Sequence, residues 1–412
     1  MRRLLLITSA CDGEDVGEAW VGFQWVTRLA ARHDVTLLTM HRRDRTPPSH
    51  AIRNARVIEW PDAKVFARQE RLNSLLKPGY VPFYRGARGW IRDALARGER
   101  FDVIHQLLPV AVRYPSPATG LGVPYLIGPV GGSLENPPGF ADDTAPWFMR
   151  LRGLDRLRLR ADPLLRRSFE RADCVLGIAP YVRETLTGLE LRRFEVMSET
   201  GLTDLPTLGE APRRSDGPVR LLYVGRLVRS KGLRDAIAAL DRLTTSTPVV
   251  LDVVGEGFDR SACEALAAEL GLAERVHFHG WQPRERVEEF YRAADVFVFP
   301  SYREPGGNVT FESMGYGLPL IVTDLGGPGN VVDDSCGIRV HPENPDQFAH
   351  ELAVAITRLV DDPELRARLG AAGRERVANT ALWDRKVEQL EALYDDLLTN
   401  SREGAVGPVR AS

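Results

Sequence analysis

Cysteine is scarce in this chain, and the few cysteines lie far apart. Cys11, Cys174, Cys263 and Cys336 are spread over 412 residues without a CxxC pair. Zinc-ribbon sites and disulfide-stapled small domains need closely spaced cysteines. The sequence therefore favours neither class, and a reducing cytoplasmic setting fits best.

Long apolar runs are also lacking. No window approaches the roughly 20 apolar residues that a transmembrane helix needs. The short run LLLI near the N-terminus is followed by the acidic stretch CDGEDVGEAW, which does not resemble a signal-peptide cleavage region. We therefore expect a first β-strand there and a protein that does not span a bilayer.

The net charge is small, at −2, and this total conceals an asymmetry. Residues 1–200 contain 30 Lys and Arg against 23 Asp and Glu, whereas the remainder contains 24 against 33. Halves of opposite charge are expected to face different partners. Nucleic acid is not expected among them, because no recognisable binding module accompanies the arginines.

Short, almost continuous apolar segments alternate with helical patterns in both halves of the chain. This alternation predicts an α/β protein with parallel sheets that helices cover on both faces. We expect two Rossmann-like, doubly wound domains, at residues 1–204 and 219–380, joined by a linker at 205–218 that is rich in proline, glycine and charge. A helix at 381–399 and a disordered tail at 400–412 complete the prediction.

The densest functional signal is the stretch PSYREPGGNVTFE, residues 300–312. A strand ends at Pro300, and Gly306 and Gly307 precede a helix that starts near Asn308. Amides at a glycine-rich helix N-terminus attract phosphate oxygens. Carboxylates would repel phosphate, so Glu304 and Glu312 are predicted to accept hydrogen bonds from sugar hydroxyls.

Two further stretches follow predicted strands. In VGRLVRSKG, Arg226 and Lys231 stand where open α/β sheets bind ligands, and two cations there suit a diphosphate; the alternative is a pair of exposed loop cations. In VVGEG, Gly255 and Gly257 permit close backbone approach, but the full GxGxxG pattern of dinucleotide folds is missing. A mononucleotide is therefore favoured, with its base near Trp281.

In the first half, GPVGGSLENP places Gly131 and Gly132 at a strand end. These glycines are predicted to approach the donor phosphates, with a plain turn as the alternative. Glu135 and Asn136 follow them and are candidates for contact with the acceptor.

Residues 200–380 closely resemble the retaining glycosyltransferases of family 4. The resemblance lies in the GR…KG segment, the VVGEG and FHGW turns, AADVFVFPS, and the EPGG…E element with its GLPLIVTD strand. It implies the GT-B fold, in which two Rossmann-like domains face each other across a cleft and a C-terminal helix crosses back to the first. It also implies that Arg226 and Lys231 hold the donor diphosphate, that Glu304 contacts the sugar, and that Glu312 contacts the ribose.

The first half is only loosely similar to that family, whose members often carry a histidine where this chain has Gly128 and Pro129. His105 is the nearest alternative, but it falls inside a strand-like segment and is expected in the core. Without an enzymatic base, the leaving diphosphate can take the acceptor's proton. Because no DxD motif is evident at a strand end, no metal or other cofactor is expected.

The predicted function is therefore a metal-independent retaining hexosyltransferase. Its donor is a UDP-sugar ahead of a GDP-sugar, and its acceptor is a membrane lipid or lipid-linked glycan. The alternatives are a soluble small-molecule acceptor or a non-catalytic subunit that binds the donor. Epimerase and phosphorylase activities are not expected, because the chain shows no arrangement of the residues that these reactions need.

Residues 64–100 and 145–171 interleave arginine with bulky apolar residues. Such segments can lie on an anionic membrane surface. They predict peripheral contact with the inner face of the cell membrane, and a solvated helix packed on its own domain is the alternative.

Overall fold

A computed structural model describes residues 1–15, 17–41, 45–62, 78–132, 134–140, 154–208 and 217–405. The chain divides into two compact units. Unit 1 contains Met1–Ser133, Trp147–Glu199 and Trp383–Ser412, and unit 2 contains Leu134–Pro146 and Thr200–Leu382. Each unit is built on its own parallel sheet, so the predicted α/β fold class is confirmed.

Unit 1 has a sheet of seven parallel strands. They are β1 (Arg3–Thr8), β2 (Asp34–His41), β3 (Ala55–Pro61), β4 (Val103–Gln106), β5 (Tyr125–Val130), β6 (Cys174–Gly177) and β7 (Phe194–Val196), in the spatial order β3-β2-β1-β4-β5-β6-β7. The helices are α1 (Glu18–Ala30), α2 (Pro48–Ala51), α3 (Tyr80–Ala96), α4 (Leu154–Ala161), α5 (Pro163–Glu170), α6 (Tyr181–Thr185) and α14 (Trp383–Ala405).

The central strands of unit 1 are apolar on both faces. Leu4, Leu5, Leu6 and Ile7 of β1 are all fully buried, and alternate residues belong to different core clusters. This is the pattern of a parallel sheet covered by helices on both sides, and it explains why the segment has no polar alternation.

The C-terminal helix α14 belongs to unit 1 because its apolar side chains complete one of these cores. Trp383 is fully buried and meets Trp25 of α1 edge to face, with ring centroids 5.2 Å apart. Leu390 and Tyr394 are also fully buried. The helix ends at Ala405, six residues beyond the bound of 399 that the sequence predicts for it. A helix held by its packed residues extends at little cost.

His105 lies in the core of unit 1, as expected. Its Nε2 donates to the carbonyl of Gly128 at 2.7 Å, and its Nδ1 accepts from the hydroxyl of Tyr394 at 2.6 Å. Burial lowers the pKa of the imidazole to about 4. The side chain thus ties β4 to β5 and to α14 as a neutral group.

Unit 2 has a sheet of six parallel strands. They are β8 (Val219–Val224), β9 (Val249–Val254), β10 (Val276–Gly280), β11 (Val296–Phe299), β12 (Leu320–Thr323) and β13 (Gly337–Val340), in the order β10-β9-β8-β11-β12-β13. Its helices are α7 (Leu233–Asp241), α8 (Arg260–Glu269), α9 (Arg284–Ala293), α10 (Asn308–Gly315), α11 (Gly326–Val331), α12 (Pro345–Asp361) and α13 (Pro363–Thr380). Short 3₁₀ turns occur at Pro138–Phe140 and Arg229–Lys231.

The two long helices of unit 2 begin with the same local signal. Asn344 accepts a hydrogen bond from the Gln347 amide at 3.0 Å, and Asp362 accepts one from the Leu365 amide at 2.8 Å. A proline follows each cap at the first helical position. Proline is preorganised there, because it lacks only an amide hydrogen that would have no partner inside the helix.

The division into units differs from the continuous boundary expected at residue 204. Leu134–Pro146 belong to unit 2 although they follow β5 of unit 1. The cause is Phe140, which is buried against Tyr302 and Phe348 with ring centroids 4.4 and 5.9 Å away. Residues 209–216 of the expected linker lie outside the described residues.

The described parts of the two basic segments are helices α3, α4 and α5. In α3, Tyr80, Phe83, Ala87, Ile91 and Ala94 are buried in unit 1, so most of its apolar face is used internally. Residues 64–77 and 145–153 of these segments lie outside the described residues. Across the described chain, every helix is too short or too polar to span a bilayer.

Candidate functional site

The sheet of unit 2 has a topological switch point at its centre. The chain leaves β8 toward β9 on one side, and β11 continues toward β12 on the other side. In open α/β sheets, ligands bind at the carboxyl ends of the strands that flank such a point. Here those ends lead into Arg226 and into the loop of residues 300–307, which we call the acidic loop.

The central feature of this edge is an ion pair between Lys231 and Glu304. The two side chains are only 10% and 16% exposed. The Lys231 ammonium also lies 5.6 Å from the ring centroid of Phe299. Because desolvating such a pair is costly, its place at a ligand-binding edge indicates a role beyond packing.

Gly232 allows this pair to form. Its φ of 76° is in the left-handed region, and a Cβ atom there would lie 2.0 Å from the carbonyl oxygen of Pro300. The turn that carries Lys231 therefore rests directly on the end of β11. Any other residue at position 232 would push the lysine away from the acidic loop.

The acidic loop leads into the N-terminus of α10. Gly307 is the N-cap residue with φ 87°, and no described side chain caps the helix. Two buried oxygens nearby, Oδ1 of Asn308 and Oγ1 of Thr310, have no hydrogen-bond partner among the described residues. Open helix amides and unpaired buried oxygens are groups that a polar ligand can satisfy.

Glu312 lies in the second turn of α10 and faces a separate cleft. Its carboxylate accepts hydrogen bonds from the hydroxyl of Tyr291 and from Nδ2 of Asn308, both at 3.1 Å. Burial raises the pKa of Glu312, and the positive charge of Arg284 partly offsets that increase. The cleft has a volume of about 350 Å³, and Arg284 and Tyr291 also line it.

The segment Leu134–Phe140 supports the acidic loop from outside. Asn136 Oδ1 accepts a hydrogen bond from Nη1 of Arg303 at 3.1 Å. Phe140 packs on Tyr302, and the guanidinium of Arg229 lies 5.5 Å from the Phe140 ring centroid. These contacts hold Tyr302 and Arg303, the two residues that immediately precede Glu304.

The VVGEG turn brings backbone close to backbone. A Cβ atom on Gly255 would lie 1.9 Å from the carbonyl oxygen of Gly225, and one on Gly257 would lie 2.0 Å from that of Leu227. The Gly255 amide donates to the Gly280 carbonyl at 2.8 Å. These glycines thus join the ends of β8, β9 and β10, and their approach to a nucleotide stays a prediction.

The remaining predicted residues do not join the Lys231–Glu304 pair. Arg226 is exposed and forms no ion pair within the described parts of the chain, and Trp281 is 73% exposed. Gly131 and Gly132 belong to unit 1, where their amides donate to the Val110 carbonyl at 2.7 Å and the Tyr181 hydroxyl at 3.2 Å. Their approach to the donor stays a prediction.

Sequence reasoning missed Arg284 and Tyr291 beside Glu312, and Arg303 and Phe140 beside Glu304. Arg284 follows the GWQP turn and opens α9, which is a usable signal for the cleft. Phe140 gave no signal, because its partners are distant in sequence. A larger, mainly apolar cleft of about 700 Å³ in unit 2 contains none of the predicted residues.

Comparison with known families gives two matches that together cover most of the chain. Residues 208–376 match the family described as glycosyl transferases group 1, and residues 19–198 match the glycosyl transferase 4-like domain. The chain belongs to the group 1 glycosyltransferases. The boundary between the matches falls near residue 200, close to where the chain passes from unit 1 to unit 2.

A curated relative supports this family assignment. The chain is 34% identical to the lipopolysaccharide core biosynthesis glycosyltransferase LpsE of Rhizobium meliloti, over 50% of this chain and 59% of that protein. Matches to the first curated relatives thus span about six tenths or less of the relatives' own lengths.

Solved structures share the fold over nearly the whole chain. Sucrose-phosphate synthase from Thermosynechococcus elongatus aligns with a TM-score of 0.66 at 23% identity, covering 97% of this chain and all of that one. The Anabaena protein HepE, solved in complex with UDP-glucose, aligns with a TM-score of 0.62 at 16% identity and covers 96% of this chain and all of that one. The predicted glycosyltransferase family and the predicted GT-B fold are both confirmed.

Proposed function

We propose that this chain is a retaining glycosyltransferase that moves a hexosyl group from a nucleotide diphosphate sugar to an acceptor hydroxyl. The buried Lys231–Glu304 ion pair at the switch point, beside the open N-terminus of α10, carries the proposal. A cation and helix amides suit a diphosphate, and a carboxylate suits sugar hydroxyls.

In the proposed reaction, the bond between sugar C1 and the β-phosphate oxygen breaks, and the acceptor oxygen bonds to C1 on the same face of the ring. The departing diphosphate keeps the electron pair of the broken bond and takes the acceptor's proton. Negative charge therefore grows on the diphosphate in the transition state. Lys231 and Arg226 stabilise that charge, while Glu304 orients the sugar.

The ion pair also suits a site that must bind a donor and then release a nucleoside diphosphate. A lysine ammonium has three donor hydrogens. Lys231 can therefore keep its contact with Glu304 and still donate to a phosphate oxygen. Without donor, each charge neutralises the other, so that neither is left unpaired in a site that is mostly buried.

Glu312 is proposed to hold the ribose hydroxyls of the donor nucleotide. Its carboxylate is oriented by Tyr291 and Asn308 and borders an open cleft. A carboxylate has about four lone-pair positions, so two existing bonds leave room for further donors.

The proposed transfer step uses no divalent cation at the diphosphate. Arg226, Lys231 and the amides of residues 306–308 provide the positive charge that a metal supplies in other transferases. The sequence has no DxD motif at a strand end, which supports this proposal. Transfer that continues undiminished in excess EDTA is the expected outcome, and a loss that Mg²⁺ or Mn²⁺ restores would contradict it.

We propose a UDP-sugar as the donor, ahead of a GDP-sugar, and a membrane lipid or lipid-linked glycan as the acceptor. A fold relative is known in complex with UDP-glucose, and a curated relative acts in lipopolysaccharide core biosynthesis. A soluble acceptor is the second candidate. It is favoured by the full-length likeness to sucrose-phosphate synthase and by the burial of the apolar face of α3.

A lipid acceptor would place the protein in the cytoplasm at the inner face of the membrane. Leu157 and Leu164 are 60% and 43% exposed near Arg158 and Arg160. Replacing Arg158 and Arg160 with glutamine is expected to reduce co-sedimentation with vesicles that contain anionic lipid. Unchanged co-sedimentation, with activity intact, would favour the soluble acceptor.

The decisive experiment is a donor screen with mass-spectrometric detection. UDP-, GDP- and ADP-hexoses are incubated with the full chain, with and without lipid extract, and with Glu304→Ala and Arg242→Ala in parallel. Arg242 lies in an exposed ion pair with Asp346 and serves as the control. We expect one nucleotide class to yield a product whose formation needs Glu304 but not Arg242. Conversion of a donor without acceptor, or full transfer by Glu304→Ala, would overturn the proposal.

A further inference from the structure

Three potential metal ligands meet at the edge of the sheet in unit 2. Asp252 of β9 and His277 of the edge strand β10 are register partners. His279 lies two residues later, at a register shift of β10, and its side chain also reaches Asp252. His279 Nε2 lies 2.7 Å from Asp252 Oδ1, and His277 Nδ1 lies 3.5 Å from it. One ligand atom from each side chain lies within 4.8 Å of the others.

The hydrogen bonding of His277 shows what this cluster lacks. Its Nε2 lies 3.3 Å from the Glu274 carbonyl, to which it can only donate. In the neutral ring, Nδ1 then turns a lone pair toward a carboxylate oxygen of Asp252. Two acceptors facing each other need a cation or a proton between them. A histidine whose other nitrogen donates to a carbonyl is the usual arrangement at a metal.

Asp252 is placed as a ligand with a fixed orientation. It is 4% exposed, and Nη2 of Arg220 holds its Oδ2 at 3.0 Å. This leaves Oδ1 directed at the two imidazoles. The histidine side chains are 41% and 30% exposed, so an ion and its remaining water ligands can reach the cluster from solvent.

We propose that Asp252, His277 and His279 bind one transition-metal dication, with Zn²⁺ as the best fit. Zinc takes imidazole nitrogens and carboxylate oxygens at about 2.0–2.2 Å, and it accepts water as a fourth ligand. Mg²⁺ and Ca²⁺ prefer all-oxygen sites and are not expected to bind here. Arg220 holds the far carboxylate oxygen as an outer partner, and its charge lowers the affinity below that of a site without it.

This site lies away from the proposed diphosphate contacts and has a structural role. His279 immediately precedes Gly280, whose carbonyl accepts from the Gly255 amide at 2.8 Å. The His279 carbonyl accepts from Nε2 of Gln282 at 2.6 Å. A metal that joins β9 to β10 therefore fixes the turn that carries Trp281, whether or not the chain transfers sugar.

The test is a calorimetric titration of Zn²⁺ into the full chain, stripped of metal and carrying no histidine tag, at a pH where imidazole is neutral. We expect one equivalent to bind and to raise the melting temperature. Co²⁺ is expected to give the visible bands of a tetrahedral or five-coordinate site, and Mg²⁺ to give no heat.

The variants His277→Gln and His279→Gln change partly exposed side chains, so they are expected to fold. Each is expected to weaken Zn²⁺ binding at least about tenfold. The matched control is His341→Gln. His341 forms a histidine–aspartate pair with Asp324 at 2.9 Å, and no second histidine of the described residues joins that pair.

Two results would overturn the proposal. The first is the absence of Zn²⁺ heat and of any melting shift in the folded wild-type chain, which would mean that a proton rather than a metal occupies the cluster. The second is equal loss of binding in His341→Gln and His279→Gln, which would mean that the zinc binds to scattered surface histidines.

Discussion

Two buried ion pairs lie two residues apart in the turn that follows β8, and they differ in where their partners come from. Arg229 binds both oxygens of Asp235, which is 3% exposed, and the partner lies only six positions along the chain. Lys231 binds Glu304, which lies 73 positions away in a different loop. The two pairs are similarly buried, so the location of the partner, and not burial, is what distinguishes the proposed functional pair from the structural one.

The kind of cation follows the same division. The arginine of the first pair has a planar fork that locks two carboxylate oxygens in one geometry. The lysine of the second pair is a point charge on a flexible stem, which can be shared with a ligand. We therefore propose that Arg229 serves stability and Lys231 serves donor binding, and a single substitution tests each proposal.

The largest expected effect is on stability. Arg229→Ala leaves Asp235 buried without its cation and removes the guanidinium that packs against Phe140 and Tyr302. Breaking a buried pair in this way costs about 3–5 kcal/mol of unfolding free energy. Chemical denaturation should show that loss, while Arg242→Ala in the exposed pair with Asp346 should cost less than about 1 kcal/mol. Equal losses of unfolding free energy in the two variants would mean that the buried Arg229–Asp235 pair contributes no more to stability than an exposed pair.

Glu304→Ala tests the other half of the comparison. We expect kcat to fall by about 10²–10³, the usual loss when one oriented group is removed from an active site. Nucleotide binding should persist, because Lys231 and the helix amides remain. Isothermal titration with UDP and GDP provides the check, and a simultaneous loss of affinity for both would place Glu304 at the nucleotide instead of the sugar.

Lys231→Ala is expected to weaken donor binding about 10–100-fold, in line with about 1.5–3 kcal/mol for a hydrogen bond to a charged group. The effect should be larger for the nucleoside diphosphate than for the nucleoside, because only the former carries the phosphates. Competition binding with UDP and uridine measures that difference. A uniform loss for both ligands would indicate a collapsed loop, and Lys231→Arg, which keeps the charge, then shows whether folding is restored.

The strands of both sheets could be predicted because their apolar runs are short and continuous. Helices α12 and α13 could also have been found, since Asn344–Pro345 and Asp362–Pro363 are recognisable start signals. The three-residue strand β7 could not, because its burial is slight and its pairing with β6 is set by the sheet.

The candidate site residues could be named from the sequence, but their spatial arrangement could not. The spacing of Lys231 and Glu304 in sequence carries no information about their contact, which exists because β8 and β11 are neighbours in the sheet. The docking of Leu134–Phe140 on unit 2 was missed for the same reason, since Phe140 finds its partners at positions 302 and 348. The packing of the VVGEG glycines against the backbone of residues 225 and 227 was likewise not evident from the sequence, since it depends on how neighbouring strands end.

The smallest expected effect concerns Glu312, whose pKa is raised in the folded chain by burial. A carboxyl with a raised folded-state pKa binds more protons when folded than when unfolded. Its contribution to stability is therefore complete below the ordinary glutamate range and is lost as pH rises through the folded-state value. Glu312→Gln removes this term, so the difference in unfolding free energy between variant and wild type should grow in favour of the variant across that window. A difference that is constant with pH would mean that folding does not raise the pKa of Glu312. The proposal that Glu312 holds the ribose would then rest on the way Tyr291 and Asn308 orient its carboxylate.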